Sequence, residues 1–237
     1  MKAPAVSPPT RAVLNFTHKC ALACEWCYVP FGTPAAERDV VKRIVDRLSF
    51  FGFLQLTLGG GDPFQYSFLP EIAIAARKAG LFVQIDTHGK SMVPNHLNER
   101  TLREAVQLVG LPLDGPTADD HDRMRSSPGH FDLLMRRFAW LKAIGTPVKI
   151  NSMISAQNCG TLAALASVVS DLSPVRWSIY EFWPLGPAAS ARQLHSLQSS
   201  IFSAAASEAV AKVNVNTAIE VEVVAWESRR KRVAIPS

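Results

Sequence analysis

The sequence predicts an α/β fold built on a parallel β-sheet. Short runs rich in β-branched and aromatic residues alternate with longer amphipathic runs through most of the 237 residues. Six such strand–helix units follow one another, which favours parallel strands joined by right-handed crossovers, with the helices on the outside. A barrel-like sheet and a doubly wound open sheet both satisfy this pattern. In either case functional residues should gather at the carboxyl ends of the strands.

The individual elements follow from local patterns. The first strand is expected at Arg11–Thr17, and the next helix places Val41, Val45 and Leu48 on one face before stopping at Gly52. The later strands of the core are expected at 53–61, 81–89, 106–115, 147–155 and 175–185. The later helices of the core are expected at 68–80, 97–105, 130–145 and 159–172. A last helix over 191–213 and a strand over 218–226 close the chain.

Composition indicates one sizeable globular domain. Hydrophobic residues make up 48% and charged residues 19% of the chain, which is enough for a full core. We expect a flexible arm at 1–10, because "APAVSPP" lacks the residues that build a core. The main core should span 11–190, and the helix and strand of 191–237 should pack on it.

Charge and hydropathy indicate which partners and which cellular compartment to expect. The formal charge of +5 is mild, and the basic run Ser228–Arg232 is more typical of a solvated face than of a nucleic-acid site. No stretch of about 18 apolar residues predicts a membrane span, and the first residues do not resemble a signal peptide. We therefore expect a cytoplasmic protein that needs neither membrane nor nucleic acid. In that compartment thiols stay reduced, so clustered cysteines point to metal binding or catalysis.

Three of the four cysteines lie in one short loop, at Cys20, Cys24 and Cys27. A structural zinc site takes four ligands, but Cys159 is far away in the sequence and His18 is too close to Cys20 for a comfortable chelate. Three thiolates can instead hold a [4Fe–4S] cluster and leave its fourth iron open to another molecule. The spacing favours a cluster over zinc.

These residues resemble the radical S-adenosylmethionine (radical SAM) superfamily. Its signature loop is similar to Cys20-x3-Cys24-x2-Cys27, with the aromatic Trp26 just before the third cysteine. Three further segments look like family motifs and come in the family's order, namely "LGGGDPF", "DTHG" and "LPLDGPTADDHDRMR". The resemblance runs from about residue 14 to about residue 187. It implies a partial (β/α)6 barrel, to which the C-terminal helix and strand add a short extension.

The resemblance also implies the chemistry. Members of the superfamily cleave S-adenosylmethionine reductively at a [4Fe–4S] cluster, and the resulting 5'-deoxyadenosyl radical abstracts hydrogen from a substrate. Such an enzyme needs an external one-electron donor of the flavodoxin or ferredoxin type. The barrel would exclude water and hold the substrate against the radical.

By resemblance, several residues are assigned to S-adenosylmethionine. The glycines allow a close backbone approach to the cofactor's amine, Asp62 supplies a complementary charge, and Trp26 is placed to contact the adenine. Pro112 stands where the family often has a serine, so another group must replace that donor. The complete predicted set is Trp26, Gly59, Gly60, Gly61, Asp62, Thr87, His88 and Asn151.

The fifth and sixth strands bear a weaker resemblance to the viperin-like branch, which acts on nucleoside triphosphates. Lys149 and Asn151 match that branch, but Ser178 stands where it has a phosphate-binding lysine, and this argues against a triphosphate. A smaller polar substrate is expected, such as a sugar, a nucleoside or nucleotide, or an amino-acid derivative. The predicted substrate residues are Lys149, Arg176, Tyr180 and Glu181.

Strand alternation refines this prediction. It places Lys149, Asn151 and Met153 on one face of the fifth strand. On the sixth strand it places Glu181 on the opposite face from Tyr180. A buried lysine is expected to have a partner, either an anionic group of the ligand or an internal carboxylate.

Alternatives remain open at this level. The second candidate function is a peptide-modifying maturase, and a less favoured one is a non-enzymatic zinc or iron–sulfur module. The residues His121, Asp122 and Arg125 are interpreted as an exposed helix start. Cys159 is expected to cap or pack a helix.

Overall fold

The structure is a computed structural model that describes residues 10–30, 34–213 and 218–226. Apart from Thr10, the predicted N-terminal arm lies outside the described residues, as does the basic run Ser228–Arg232.

Within these residues the strands form one parallel sheet in chain order. Every neighbouring pair is parallel, which confirms the α/β prediction. The strands are β1 (Arg11–Thr17), β2 (Gln55–Gly60), β3 (Phe82–Asp86), β4 (Leu108–Pro112), β5 (Val148–Ile154), β6 (Arg176–Glu181) and β7 (Glu220–Val224). The first six strands belong to the six predicted units, and β7 extends the sheet beyond β6.

Helices connect successive strands, as parallel pairing requires. They are α1 (Arg38–Phe50), α2 (Leu69–Lys78), α3 (His96–Ala105), α4 (Ala118–Arg125), α5 (His130–Ala143), α6 (Leu162–Leu172), α7 (Arg192–His195) and α8 (Ser199–Lys212). The predicted last helix is split into α7 and α8, because Ser196 and Gln198 have extended backbone. In the described part of the chain, no helix is long and apolar enough to cross a membrane.

The core lies between the central strands and the helices. Every residue of β4 is buried, as are the four central residues of β2, because these strands are covered on both faces. Trp177 on β6 is fully buried, and its indole N–H donates to the Ser152 hydroxyl over 2.9 Å. Because the central strands are held this firmly, their carboxyl ends form a rigid base for the loops that follow them.

Candidate active site

A cavity of about 620 Å³ opens at the carboxyl ends of the strands. The three predicted cluster cysteines lie in its wall, together with the glycine segment after β2 and the turn after β3. The sequence-predicted residues that line it are Cys20, Cys24, Cys27, Trp26, Gly59, Gly60, Gly61, Thr87, His88, Asn151, Tyr180 and Glu181. Three predicted residues are absent from this lining, Asp62, Lys149 and Arg176.

The three thiols of the loop are partly buried and influence one another electrostatically. Burial raises the pKa of Cys20 to about 11, and the neighbouring Cys24, Asp62 and Cys27 add to the effect against an opposing hydrogen bond from the Leu22 N–H. Burial likewise raises the pKa of Cys24 and of Cys27. Thiols of this kind give up their protons when a metal binds them.

The thiol arrangement fits a cluster. Among the described His, Cys, Asp and Glu side chains, no three are grouped as ligands of a single ion. A [4Fe–4S] cluster is held by cysteine thiolates, and this loop supplies three of them. The cysteine loop offers three sulfurs around one cavity.

The loop is attached to the end of α4. The indole N–H of Trp26 donates to the Met124 carbonyl over 2.9 Å, and the Arg125 guanidinium lies 4.5 Å from the centre of the Trp26 ring. The Cys24 thiol also lies 3.8 Å from the Arg125 carbonyl oxygen. Trp26 therefore has a structural role in placing the cysteines, in addition to lining the cavity.

Arg125 was expected on an exposed helix start, and that expectation is wrong. Its side chain is only 12% exposed and its Nε donates to the fully buried Asp114 over 2.5 Å. Burial alone would lower the pKa of Arg125, but the nearby Asp114 and Cys24 outweigh it and the pKa is raised. His121 is also fully buried, whereas Asp122 accepts hydrogen bonds from backbone N–H groups at the start of α5.

The glycine segment packs directly on the backbone that leads into Cys20. The N–H of Gly61 donates to the Thr17 carbonyl over 2.7 Å, and the N–H of Asp62 donates to the Lys19 carbonyl over 2.8 Å. A Cβ on Gly60 would lie 2.2 Å from the Thr17 oxygen, and one on Gly61 would lie 2.0 Å from the Lys19 oxygen. Any side chain at these two positions would push the cysteine loop away.

Asp62 is held inside the protein. It is fully buried, and its carboxylate accepts hydrogen bonds from the Thr87 hydroxyl at 2.9 and 3.0 Å and from the Phe64 N–H at 3.0 Å. The Nε2 of His88 lies 2.9 Å from the same carboxylate, although the contact is not aligned as a hydrogen bond. The predicted direct contact of Asp62 with the cofactor amine therefore lacks support from its position. Its carboxylate joins the glycine segment to the turn after β3.

Asn151 leaves a hydrogen-bond acceptor available in the cavity. Its Nδ2 lies 3.3 Å from Asp86 Oδ1, so its Oδ1 points elsewhere, and this buried atom has no hydrogen-bond partner among the described residues. Gly110 makes room for the pair, because a Cβ there would lie 2.0 Å from Asp86 Oδ1. An unsatisfied buried acceptor in a cavity fits a bound molecule with N–H or O–H donors. Asp86 lines the cavity but was not predicted as a site residue.

Two predicted substrate residues do not line the cavity and have partners within the protein. Lys149 is 2% exposed, and its Nζ donates to the Tyr180 hydroxyl over 3.0 Å and lies 3.9 Å from Glu222. Arg176 forms an ion pair of 2.7 Å with Glu220. Both residues stand near the amino ends of their strands, whereas the cavity is at the carboxyl ends. The internal-carboxylate alternative for Lys149 thus has a candidate partner in Glu222.

The outer part of the cavity is apolar and aromatic. Tyr28 and Leu185 are exposed there and Trp183 is half-buried, whereas Phe182 lines the cavity from a buried position, and none of the four was predicted. The signal that could have identified three of them is the run "FWPL" directly after β6. Trp183 also contacts the ring of Trp226, with the ring centres 5.6 Å apart.

The family model of the Radical SAM superfamily matches residues 14–156, which is more than half of the chain. This chain belongs to the radical SAM superfamily. The superfamily is defined by a [4Fe–4S] cluster and S-adenosylmethionine, and its signature cysteines are present in this chain as Cys20, Cys24 and Cys27. The matched residues contain the cysteine loop, the glycine segment and the turn after β3.

Curated relatives extend the comparison. A PqqA peptide cyclase of Ruegeria pomeroyi is 31% identical over 180 residues, covering 73% of this chain and 47% of the relative. An AdoMet-dependent heme synthase of Nitratidesulfovibrio vulgaris is 28% identical over 178 residues, covering 73% of this chain and 48% of the relative. The chain thus spans about half the length of these curated relatives.

Solved structures share the fold. Streptococcus suis SuiB bound to S-adenosylmethionine superposes with a TM-score of 0.74 at 14% identity, covering 91% of this radical SAM chain and 50% of SuiB. The structure of anSMEcpe with bound AdoMet gives a TM-score of 0.62 at 16% identity, covering 74% of this chain and 52% of anSMEcpe. These neighbours confirm the partial-barrel fold.

Proposed function

We propose that this radical SAM enzyme acts on a peptide, or on an amino-acid derivative, whose reacting side chain enters the cavity from its apolar rim. The observation that carries this proposal is the make-up of the cavity beyond the cofactor residues. Tyr28, Trp183 and Leu185 form an aromatic and aliphatic rim, while Lys149 and Arg176 are paired elsewhere. An anionic small molecule would find few cations there, whereas a side chain would find an apolar surface.

The size of the cavity agrees with this substrate class. Its volume of about 620 Å³ falls within the range of about 300–1,000 Å³ that is usual for pockets holding one drug-sized molecule. That space must take the cluster, S-adenosylmethionine and the reacting group together. A side chain on a peptide whose main chain stays at the rim meets this limit. Peptides are also named for two of the compared proteins, the PqqA peptide cyclase and SuiB bound to the precursor peptide SuiA.

The residues around the cofactor site have separable roles in this proposal. The three cysteines hold the cluster, and the unpaired Asn151 acceptor takes a donor of the bound cofactor or substrate. Among the described Lys and Arg residues, Arg125 is the one that lines the cavity. Its Nε is paired with Asp114, so the other N–H groups of its guanidinium would donate to the cofactor's carboxylate. Bound together, the two cofactors supply reductive cleavage of a carbon–sulfur bond and removal of a hydrogen atom from the substrate.

The first experiment tests the core activity. Protein purified and reconstituted without oxygen should contain about four irons and four sulfides per chain. With a reductant and S-adenosylmethionine it should slowly release 5'-deoxyadenosine in the absence of substrate. Alanine variants of Cys20, Cys24 and Cys27 should lose the cluster, and Cys159→Ala is the matched control that should keep it. Stoichiometric zinc and no cluster after reconstitution would refute the proposal.

The second experiment tests the substrate class. Short peptides with varied side chains, sugars, nucleosides and free amino-acid derivatives are compared for acceleration of 5'-deoxyadenosine release over the uncoupled rate. Peptides should accelerate it, and Trp183→Ala should lose that acceleration while keeping the uncoupled rate. Leu97→Ala, on an exposed part of α3, serves as the control. Acceleration by sugars or nucleosides alone would contradict the peptide proposal.

A small polar substrate remains the second candidate function, and one observation favours it. Tyr180 and Glu181 line the cavity, although both already form hydrogen bonds within the protein. The Tyr180 hydroxyl accepts from Lys149, and the Glu181 carboxylate accepts from the backbone N–H of Trp226 and from the Ser199 hydroxyl. These two groups are polar sites on an otherwise apolar side of the cavity.

A further inference from the structure

A continuous chain of buried histidines runs from the loop after β4 to the turn after β3. The N–H of Asp114 donates to His121 Nδ1 over 3.1 Å. His121 Nε2 and His130 Nδ1 are 2.9 Å apart, and His130 Nε2 lies 2.7 Å from the His88 carbonyl oxygen. His121 is fully buried and His130 is 1% exposed, so water cannot substitute for these contacts.

The two backbone ends determine the direction of the chain. A backbone N–H can only donate, so His121 Nδ1 must accept and its proton must be on Nε2. His121 Nε2 then donates to His130 Nδ1, which leaves the His130 proton on Nε2, where it meets the His88 carbonyl. A proton on either Nδ1 would place two donors face to face. Each ring is therefore held in one neutral tautomer.

The chain reaches the rest of the site through the turn that carries Thr87 and His88. The N–H of Lys90 donates to His88 Nδ1 over 3.0 Å, so His88 also carries its proton on Nε2. The hydrogen bond from this turn to Asp62 comes from the neighbouring Thr87, whose hydroxyl donates to the carboxylate over 2.9 Å. The N–H of Asp62 in turn donates to the Lys19 carbonyl, one residue before the first cluster cysteine. The contacts thus connect the start of α5 with the cysteine loop.

We propose that His121 and His130 are positioning residues for cofactor binding. They hold the turn at His88 in place and, through Asp62, they also hold the glycine segment and the cysteine loop in place. This inference rests on the proposed function of the cavity. His88 itself lines the cavity, while the other two histidines are behind it. Polar partners behind the ligands of a metal site commonly change affinity or activity by about 10–100-fold when they are removed, and we expect an effect of the same order here.

The first test reads the tautomers directly. Long-range ¹H–¹⁵N correlation spectra of the full chain, with ¹⁵N-labelled histidine and the cluster oxidised, should show His121 and His130 as neutral Nε2–H forms at pH 7. The Nδ1–H form or a doubly protonated ring at either position would overturn the proposal. This readout does not depend on turnover.

The second test measures S-adenosylmethionine affinity by equilibrium dialysis. His130→Phe keeps a planar aromatic ring of slightly larger size but removes both nitrogens, and it should weaken binding by about tenfold or more. His130→Gln retains one acceptor and one donor and should recover most of the loss. The exposed His96→Phe, at the start of α3, is the matched control and should bind as the parent does.

The outcomes distinguish a failure of the positioning role from a failure of the proposed function. Unchanged affinity in His130→Phe, or no recovery in His130→Gln, would overturn the positioning role. If His130→Phe does not fold, the tautomers of the parent and the affinity of His130→Gln decide the question. If the parent itself neither holds a cluster nor binds S-adenosylmethionine, the proposed function fails, and the spectra still report on the histidine chain.

Discussion

Replacing Asp114 with asparagine should destabilise the protein strongly, because it leaves a buried cation without its anion. Arg125 Nε donates to Asp114 Oδ2 over 2.5 Å, and the two side chains are 12% and 0% exposed. The other carboxylate oxygen accepts from the Met153 N–H over 2.8 Å. Asparagine keeps the shape but removes the charge, and one of its two polar atoms becomes a donor that faces another donor.

The magnitude follows from this burial. Removing one partner of a buried ion pair costs about 3–5 kcal/mol, whereas an exposed pair contributes about 0–1 kcal/mol. The chain offers a matched exposed pair, in which Lys42 Nζ lies 2.9 Å from Glu71 and the side chains are 42% and 43% exposed. Asp114→Asn should therefore lower the free energy of unfolding by at least about 2 kcal/mol more than Glu71→Gln does.

The assay is urea denaturation followed by far-UV circular dichroism, with parent, Asp114→Asn, Glu71→Gln and the double variant Asp114→Asn/Arg125→Met. The double variant should be more stable than Asp114→Asn alone, because it also removes the unpaired cation. Equal losses in Asp114→Asn and Glu71→Gln would refute the reasoning, since they would mean that solvent reaches Arg125 freely.

Three further predictions concern acid stability, Lys149 and Gly110. Burial, together with nearby positive charge, lowers the pKa of His121 to about 2, and burial lowers the pKa of His130 to about 4. In the unfolded chain both histidines have a pKa near 6.5. Between pH 7 and pH 5 the unfolded chain therefore takes up protons that the folded state does not bind. Stability measured by urea denaturation should fall over this range, and less steeply in His130→Gln; equal slopes would contradict the assignment. Lys149→Met should lower the stability of the protein and leave the uncoupled release of 5'-deoxyadenosine unchanged. A selective loss of substrate-stimulated turnover would instead show that Lys149 contacts the substrate. Gly110→Ala should lower the free energy of unfolding by about 1–3 kcal/mol and weaken cofactor binding, because the new Cβ would lie 2.0 Å from Asp86 Oδ1. Thermal unfolding and cofactor affinity equal to those of the parent would contradict a role for the pair Asp86–Asn151.

The fold could be predicted because its signals are local. The alternation of strand and helix patterns predicts the parallel sheet, and the spacing of Cys20, Cys24 and Cys27 indicates the family. Arg125 could not be recognised in the same way. Its burial depends on Asp114, Trp26 and the cysteine loop, which meet only in three dimensions.

The substrate residues show a second limit of sequence patterns. Strand alternation indicates which face a side chain occupies, and it placed Lys149 and Asn151 together on one face of β5. It does not indicate how far along the strand the cavity begins. Asn151 lines the cavity, but Lys149, two residues earlier, is below it and contacts Tyr180. Depth along the strand depends on register and on the loops, which the sequence alone does not show.

The cysteine loop is held from two sides by segments that are distant in sequence. On one side, Trp26 donates to the Met124 carbonyl at the end of α4. On the other side, the N–H of Asp62 donates to the Lys19 carbonyl, and the carboxylate of Asp62 accepts from the Thr87 hydroxyl. Neither support alone would keep three thiols around one cavity, because each constrains only one end of the loop. The motifs after β1, β2, β3 and β4 therefore act as one structural unit, and a change in any of them should alter how the cluster is held.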